Sequence, residues 1–193
     1  MLAITPVIVV AVCRNANPGL PKPIVETVHL LADLGIEGDY HAGKLVRHRS
    51  IARRNPTLPN MRQVLIVDVA TYAELAAQDI HIGPGMMGEN VTISGLSVMQ
   101  LPVGTQLMLG SALVEITEVR RPCYQLNEID SRLLKAVIEQ DGKQKIYKAG
   151  VMTRVLQSGW VGAGDAITVV DTKGNPLAAA LRPLTAQLPE KTR

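Results

Sequence analysis

With 193 residues, 47% of them hydrophobic, the chain is long enough for one compact domain, and no Ser/Gly/Pro-rich linker divides it. Aromatic residues make up only 3% and Phe is absent, so the core must come from Val, Ile, Leu, Ala and Met, and a base-stacking nucleic-acid surface is disfavoured. Net charge is a modest +3, the two cysteines Cys13 and Cys123 are too few for a disulfide framework, and the apolar run at 7–12 is too short to span a bilayer and lacks a preceding basic segment, all of which points to a cytoplasmic protein away from membranes.

Residues 4–12 are apolar and rich in β-branched side chains, which predicts a first strand. Asn15, Asn17, Pro18, Gly19, Pro21 and Pro23 then mark a turn region, and residues 24–29 alternate with a period of two. The Gly-punctuated segment 35–43 carries Gly38, Asp39 and His41. Taken alone, Asp39 there also reads as a turn cap through an Asx bond, and His41 reads as a structural donor more readily than as a ligand. Between Lys44 and Arg62 lie six basic residues and no acidic one, so the rest of the chain is net negative. With Asn55, Pro56, Pro59 and Asn60 inside it, this segment reads as a long basic loop for a phosphorylated cofactor, an acidic partner or a nucleic-acid backbone, or as a solvated surface run.

Further strands are expected at 63–67, 90–94, 105–109, 112–118, 151–155 and 166–170, separated by Gly-containing turns. Asp68 is placed to cap a helix whose Val69, Tyr72, Leu75 and Ala76 share a face. A second helix is expected to begin at Asp130 or Ser131 and to present Leu133, Leu134, Val137 and Ile138. Many short strands with Gly turns and a few short helices predict a mainly β fold, a β-barrel or closed sheet.

Arg120-Arg121-Pro122-Cys123 carries the densest chemistry. Two fixed cations favour a thiolate on the neighbouring cysteine, and Pro122, with its locked φ and no N–H, ends a strand so that the sulfur stands at a rim. Cys123 is therefore a candidate nucleophile or soft-metal ligand, the alternative being a cysteine that only fills space. If the second helix points its N-terminus at this rim, its dipole adds to the same preference. No Cys or His pair has the spacing of a zinc site, and no flavin, haem or iron–sulfur ligand set is present.

In order along the chain, Gly35-Ile36-Glu37-Gly38-Asp39-Tyr40-His41, Arg62-Gln63-Val64-Leu65, Gly88-Glu89-Asn90-Val91-Thr92, Leu101-Pro102-Val103-Gly104-Thr105, Arg121-Pro122-Cys123 and Gly164-Asp165 closely resemble the MOSC domain, named for the C-terminal part of molybdenum cofactor sulfurase. The resemblance implies a MOSC-type β-barrel over residues 1–170, followed by a tail at 171–193. It implies a molybdenum cofactor (molybdopterin) site, with Cys123 as catalytic residue and molybdenum ligand. The cofactor would be held by Arg120, Arg121, Gly38, Asp39, His41, Arg62, Gly88, Glu89 and Asn90. Enzymes of the family reduce N-hydroxylated small molecules. The same activity here would use an external electron donor, and neither zinc, haem, flavin nor pyridoxal phosphate is expected. A long-proposed alternative for the family is a sulfur carrier with a Cys123 persulfide, fed by a sulfur donor protein. A third reading is a non-catalytic phosphate- or nucleic-acid-binding module.

Overall fold

The apolar, β-branched runs assemble into a single large sheet in a computed structural model that describes residues 6–171. In chain order the strands are β1 (Ile8–Cys13), β2 (Ile24–Val25), β3 (Thr27–Leu31), β4 (Gly35–Ile36), β5 (Val64–Asp68), β6 (Val91–Ser94), β7 (Gln106–Leu109), β8 (Ala112–Val119), β9 (Ile138–Asp141), β10 (Gln144–Tyr147), β11 (Val151–Gln157), β12 (Gly159–Gly162) and β13 (Ile167–Asp171). Eight of them form the main sheet in the order β13-β7-β8-β11-β5-β6-β1-β2, while β12-β3-β4 and β10-β9 make two smaller sheets. All pairs are antiparallel except β5 with β6, the one pair joined through a helix, as a parallel crossover requires.

β5 shows how the sequence pattern sets the layers. It is buried at every residue because it is covered on both faces. Val64 and Ile66 enter the main core with Val91, Ile93, Val114 and Ile116. Leu65 and Val67 point the other way and pack with Met152 and Tyr72. Tyr72 belongs to α2 (Val69–Ala76), whose N-terminus is capped by Asp68 as expected, with Thr71 N–H donating to the Asp68 carboxylate at 3.3 Å.

A second cluster of Leu75, Ile80, Met87, Leu126, Leu133 and Val137 lies beyond α2. It ties the Gly88 turn, through Met87, to the segment after Cys123, through Leu126. Burying side chains of this size contributes about 1.5–3 kcal/mol each, which fixes the relative position of the two segments.

Several elements differ from the sequence reading. The first strand begins at Ile8, and the expected residues 4 and 5 lie outside the described residues, as does the expected tail at 171–193 apart from Asp171, which is the last residue of β13. The alternating run at 24–29 is split between β2 and β3, which join different sheets, because β2 pairs with β1 and β3 with β12 and β4. The second helix is one turn only, α3 (Leu133–Ala136). Its N-cap is Arg132, and Ile138 already belongs to β9. Asp130 instead spends its carboxylate on Arg132 at 2.8 to 3.1 Å, so neither Asp130 nor Ser131 caps through its side chain.

The basic segment is also structured. It holds the short α1 (Arg49–Ala52), and its two ends are tied by a Leu45–Pro59 bridge. The fold is mainly β with a few short helices. The edge strands of the main sheet do not pair with each other. A single antiparallel bridge, Ile8 to Ala166, links the start of β1 to the turn before β13. Among the described residues, no helix is long and apolar enough to cross a membrane.

Candidate functional site

β8 ends at Val119, and the Arg120 N–H donates to Gly150 O at 2.9 Å as the last tie to the sheet. Pro122 cannot extend that ladder, and a 3-10 turn at Tyr124–Glu128 follows, anchored by the fully buried Leu126, whose N–H donates to Cys123 O at 3.2 Å. The thiol is left exposed, with Gln125 Oε1 at 3.6 Å from Sγ. The dipole expected to support it cannot come from α3, which starts ten residues later and is one turn long.

Arg120 lines the same cleft but is buried. Its Nη2 donates to Met87 O at 3.0 Å, and its Nη1 has no partner among the described residues. Burial works against this guanidinium's charge, with the Cys123 sulfur and the Glu89 carboxylate on the other side of the balance.

The Gly88-Glu89-Asn90 turn is held from beneath. Glu89 is fully buried, and its Oε1 accepts from Gly85 N–H at 2.6 Å and from the Tyr72 hydroxyl, while its Oε2 has no partner among the described residues. Burial and the adjacent Glu89 charge raise the Tyr72 phenol above its ordinary value, so it stays a donor. Gly85, at φ 82°, is required here, since a Cβ would sit 2.1 Å from Lys22 O. Asn90 is a three-way clamp. Its Oδ1 accepts from Leu65 N–H at 3.2 Å, and its Nδ2 donates to Cys13 O and to Asp39 Oδ2, both at 3.1 Å.

Asp39 is the hub of the Gly-Asp-x-His loop. Its buried carboxylate pairs with Lys22 Nζ at 2.7 Å and accepts from the backbone N–H of Asn15 at 3.2 Å and His41 at 2.9 Å. The His41 ring lies 3.4 Å from it. Burial pushes the Asp39 carboxyl up, but His41 and Lys22 outweigh it and hold the group well below the usual carboxylate range. Burial lowers the Lys22 ammonium from its ordinary value, with the Asp39 carboxylate as the main group opposing that shift.

Asn60 fastens the basic segment to this loop. Its Nδ2 donates to His41 O at 2.9 Å and Gly43 O at 3.0 Å, and its Oδ1 accepts from Arg62 N–H at 3.1 Å. The His48 ring then packs on the His41 ring at 4.6 Å between centroids. Burial, with the neighbouring His41 and Arg62, lowers His48 to about 3, so it is neutral at physiological pH. Arg62 makes a bidentate pair with Glu118, including Nη2 to Oε2 at 2.5 Å, which offsets its charge.

These segments enclose a cleft of about 220 Å³. Of the residues singled out in the sequence, Cys123, Arg120, Arg121, Arg62, His41, Gly88 and Asn90 line it. Gly38, Asp39 and Glu89 stand behind the lining. Gly38 has φ 74° and packs against Arg14, and the two carboxylates hold the walls from inside.

The sequence reading missed Lys22, His48, Gln63 and Met87 of the lining, and the buried Asn60 clamp. Lys22 had a readable signal, a lysine between two prolines beside a loop with a lone aspartate. Gln63 had one in the Arg62-Gln63-Val64-Leu65 segment, whereas Asn60 had none, because a buried amide within a polar loop looks the same in sequence as an exposed one.

An exposed thiol just beyond the end of β8 lines the same cleft as Arg49, Arg62, Arg120 and Arg121, on a mainly antiparallel sheet. The sequence pattern of the MOSC domain matches residues 38–168, and the chain belongs to that family. Protein YiiM of Escherichia coli K12 is 28% identical over 142 residues, a match covering 73% of this chain and 58% of YiiM. Among solved structures, the YUAD protein from Bacillus subtilis superposes with a TM-score of 0.69 at 20% identity, covering 83% of this chain and 94% of its own. YiiM from Geobacillus stearothermophilus gives a TM-score of 0.61 at 20% identity, covering 86% and 76%. At these identities the structural likeness concerns the fold.

Proposed function

We propose that this domain is a cytoplasmic molybdenum-cofactor protein that reduces N-hydroxylated or N-oxide small molecules in the Cys123 cleft. The observation that carries this reading is the pairing of an exposed thiol with a buried, unpartnered guanidinium nitrogen, Arg120 Nη1, in one cleft. An anion would satisfy that nitrogen, and a thiolate is the soft donor that molybdenum accepts, so the residues present fit the group. Cys123 would hold the metal, and Arg120, with Arg49, Arg62 and Arg121 around it, would bind the anionic phosphate. When bound, the cofactor would supply a metal that takes up and gives back electrons beside the thiol.

The protein's own share is positional. Asp39 and Asn90 fix the loop and strand ends that form the walls, His48 contributes a neutral ring, and Glu89 locks the Gly88 turn through Gly85 and Tyr72. In the net reaction an N–OH group takes two electrons and two protons and leaves an N–H group and water, so an electron donor must act from outside the cleft. The Ile8–Ala166 bridge supports reading the curled sheet as the barrel of this family.

The test is expression in a host that makes molybdenum cofactor, with molybdenum content and hydroxylamine-type reduction measured for the native protein and Cys123→Ser. Serine keeps the shape but offers a hard, protonated hydroxyl, so both readouts are expected to vanish while stability changes by no more than about 1 kcal/mol. A folded Cys123→Ser protein that keeps molybdenum and full turnover refutes the reading. Native protein that never takes up molybdenum but carries sulfane sulfur on Cys123 is a sulfur carrier instead.

A further inference from the structure

The segment from Lys44 to Arg62 is a closed lobe. Val46 N–H donates to Leu58 O, and Asn60 N–H to Lys44 O, each at 2.9 Å, and α1 lies between them. One side borders the cleft through His48, Arg49, Ser50 and Arg62. The rest faces outward with Lys44, Arg47, Arg53 and Arg54 exposed, and Arg121 exposed at the same opening. None of these five side chains, nor that of Arg49, is in an ion pair among the described residues. Leu45, Leu58 and Met61 are exposed among the lobe's cations.

Elsewhere the chain is net negative, so its positive field is concentrated at one mouth. Local cations interleaved with apolar side chains are the surface of an electrostatically steered, short-lived protein encounter. Such interfaces are small and rely on charge for rate and orientation. A membrane is a poorer occupant, because α1 has four residues and gives no amphipathic helix to lie in the headgroup plane.

We propose that the outer face of this lobe docks a small acidic electron-carrier protein, which delivers electrons at the cleft beside Cys123. The inference rests on the reductase reading for the role of the partner. The docking itself depends only on charge and shape.

The test measures binding of purified flavodoxin, as an acidic carrier, to the native protein and to the triple variant Lys44→Glu/Arg53→Glu/Arg54→Glu. None of these three lines the cleft. The native affinity is expected to fall steeply between about 20 mM and about 300 mM salt, and the variant to bind at least about tenfold more weakly at low salt. Thermal unfolding and the alkylation rate of Cys123 should match in the two proteins, which shows that the fold and cleft are intact.

Equal flavodoxin affinity in native and variant protein overturns the proposal. So does native protein that binds phosphatidylserine vesicles or duplex DNA but not flavodoxin, since that assigns the lobe to another polyanion. In molybdenum-loaded protein, the variant should lose turnover driven by reduced flavodoxin and keep turnover driven by reduced methyl viologen. If lobe-dependent flavodoxin binding is seen but loaded protein reduces nothing with either donor, the reductase reading fails and the docking surface stands.

Discussion

Asp39→Asn removes one charge from the most enclosed ion pair among the described residues and keeps the side-chain shape. Both partners are buried, with side-chain exposures of 3% for Lys22 and 0% for Asp39. The variant leaves the Lys22 ammonium without its hydrogen-bonded counter-charge, with the Glu89 carboxylate still opposing the effect of burial. It also turns one oxygen of a carboxylate that accepts from Asn15, His41, Asn90 and Lys22 into a donor. Breaking a buried pair from one side costs about 3–5 kcal/mol, a large part of the roughly 5–15 kcal/mol that holds a domain folded.

For a chain of this size, that corresponds to a fall in Tm of about 6 to 20 °C. The double variant Lys22→Met/Asp39→Asn should recover part of the loss, because the uncompensated ammonium is gone. The pH dependence has a definite sign. Asp39 titrates lower in the folded than in the unfolded protein, so its contribution is full above the unfolded value, about 3.9, and is lost as pH falls from there through the folded value. Native and Asp39→Asn stabilities should therefore converge only in strong acid. Urea unfolding across pH measures this, and a loss below about 1 kcal/mol at pH 7 would refute the account of Asp39 as the electrostatic hub.

The two cysteines should differ sharply in alkylation near neutral pH: Cys123 is exposed, whereas burial and the Glu89 charge push the Cys13 thiol up to about 12. Peptide mass spectrometry reads the order of labelling, and equal rates would remove Cys123 from the site. Arg120→Met should change the stability of the cofactor-free protein by only about 1 kcal/mol, since it replaces a buried charge with one unpartnered nitrogen by an apolar chain, yet it should abolish binding of inorganic phosphate in the cleft. Unchanged phosphate affinity by calorimetry would contradict the role given to Nη1.

His48, lowered to about 3 in the folded protein and about 6.5 unfolded, makes the unfolded chain bind the extra proton between those values. Stability should thus fall as pH drops from 6.5 toward 3, by up to about 1.4 kcal/mol per unit from this residue. His48→Gln should flatten that slope, and an imidazole that titrates near 6.5 by NMR would show the burial argument to be wrong.

Local chemistry made much of the protein readable from its sequence. β-branched runs fixed most strands of the main sheet to within a few residues, and Asp68 announced the cap of α2 because an N-cap needs only its own neighbours. The rim position of Cys123 was signalled by Pro122, which has no N–H with which to extend the ladder beyond β8. The order of the Gly-Asp-x-His, Gly-Glu-Asn and Arg-Pro-Cys segments points to the family without their geometry.

Only the tertiary structure decided which residues face the cleft and which stand behind it. Asp39 and Glu89 look like site carboxylates in sequence, but burial and their partners Lys22, Asn90, Gly85 and Tyr72 make them supports. Arg62 reads as a free cation until Glu118, 56 residues away, is folded against it. The basic segment reads as a loop because its bridge and clamps are made through Asn60 and backbone groups, which carry no hydrophobic period. The short β2, β4, β9, β10 and β12 also depend on partners distant in sequence or on hairpin pairing at the surface. A period written in one stretch of chain records only which face is apolar; the identity of the neighbour is supplied by the fold.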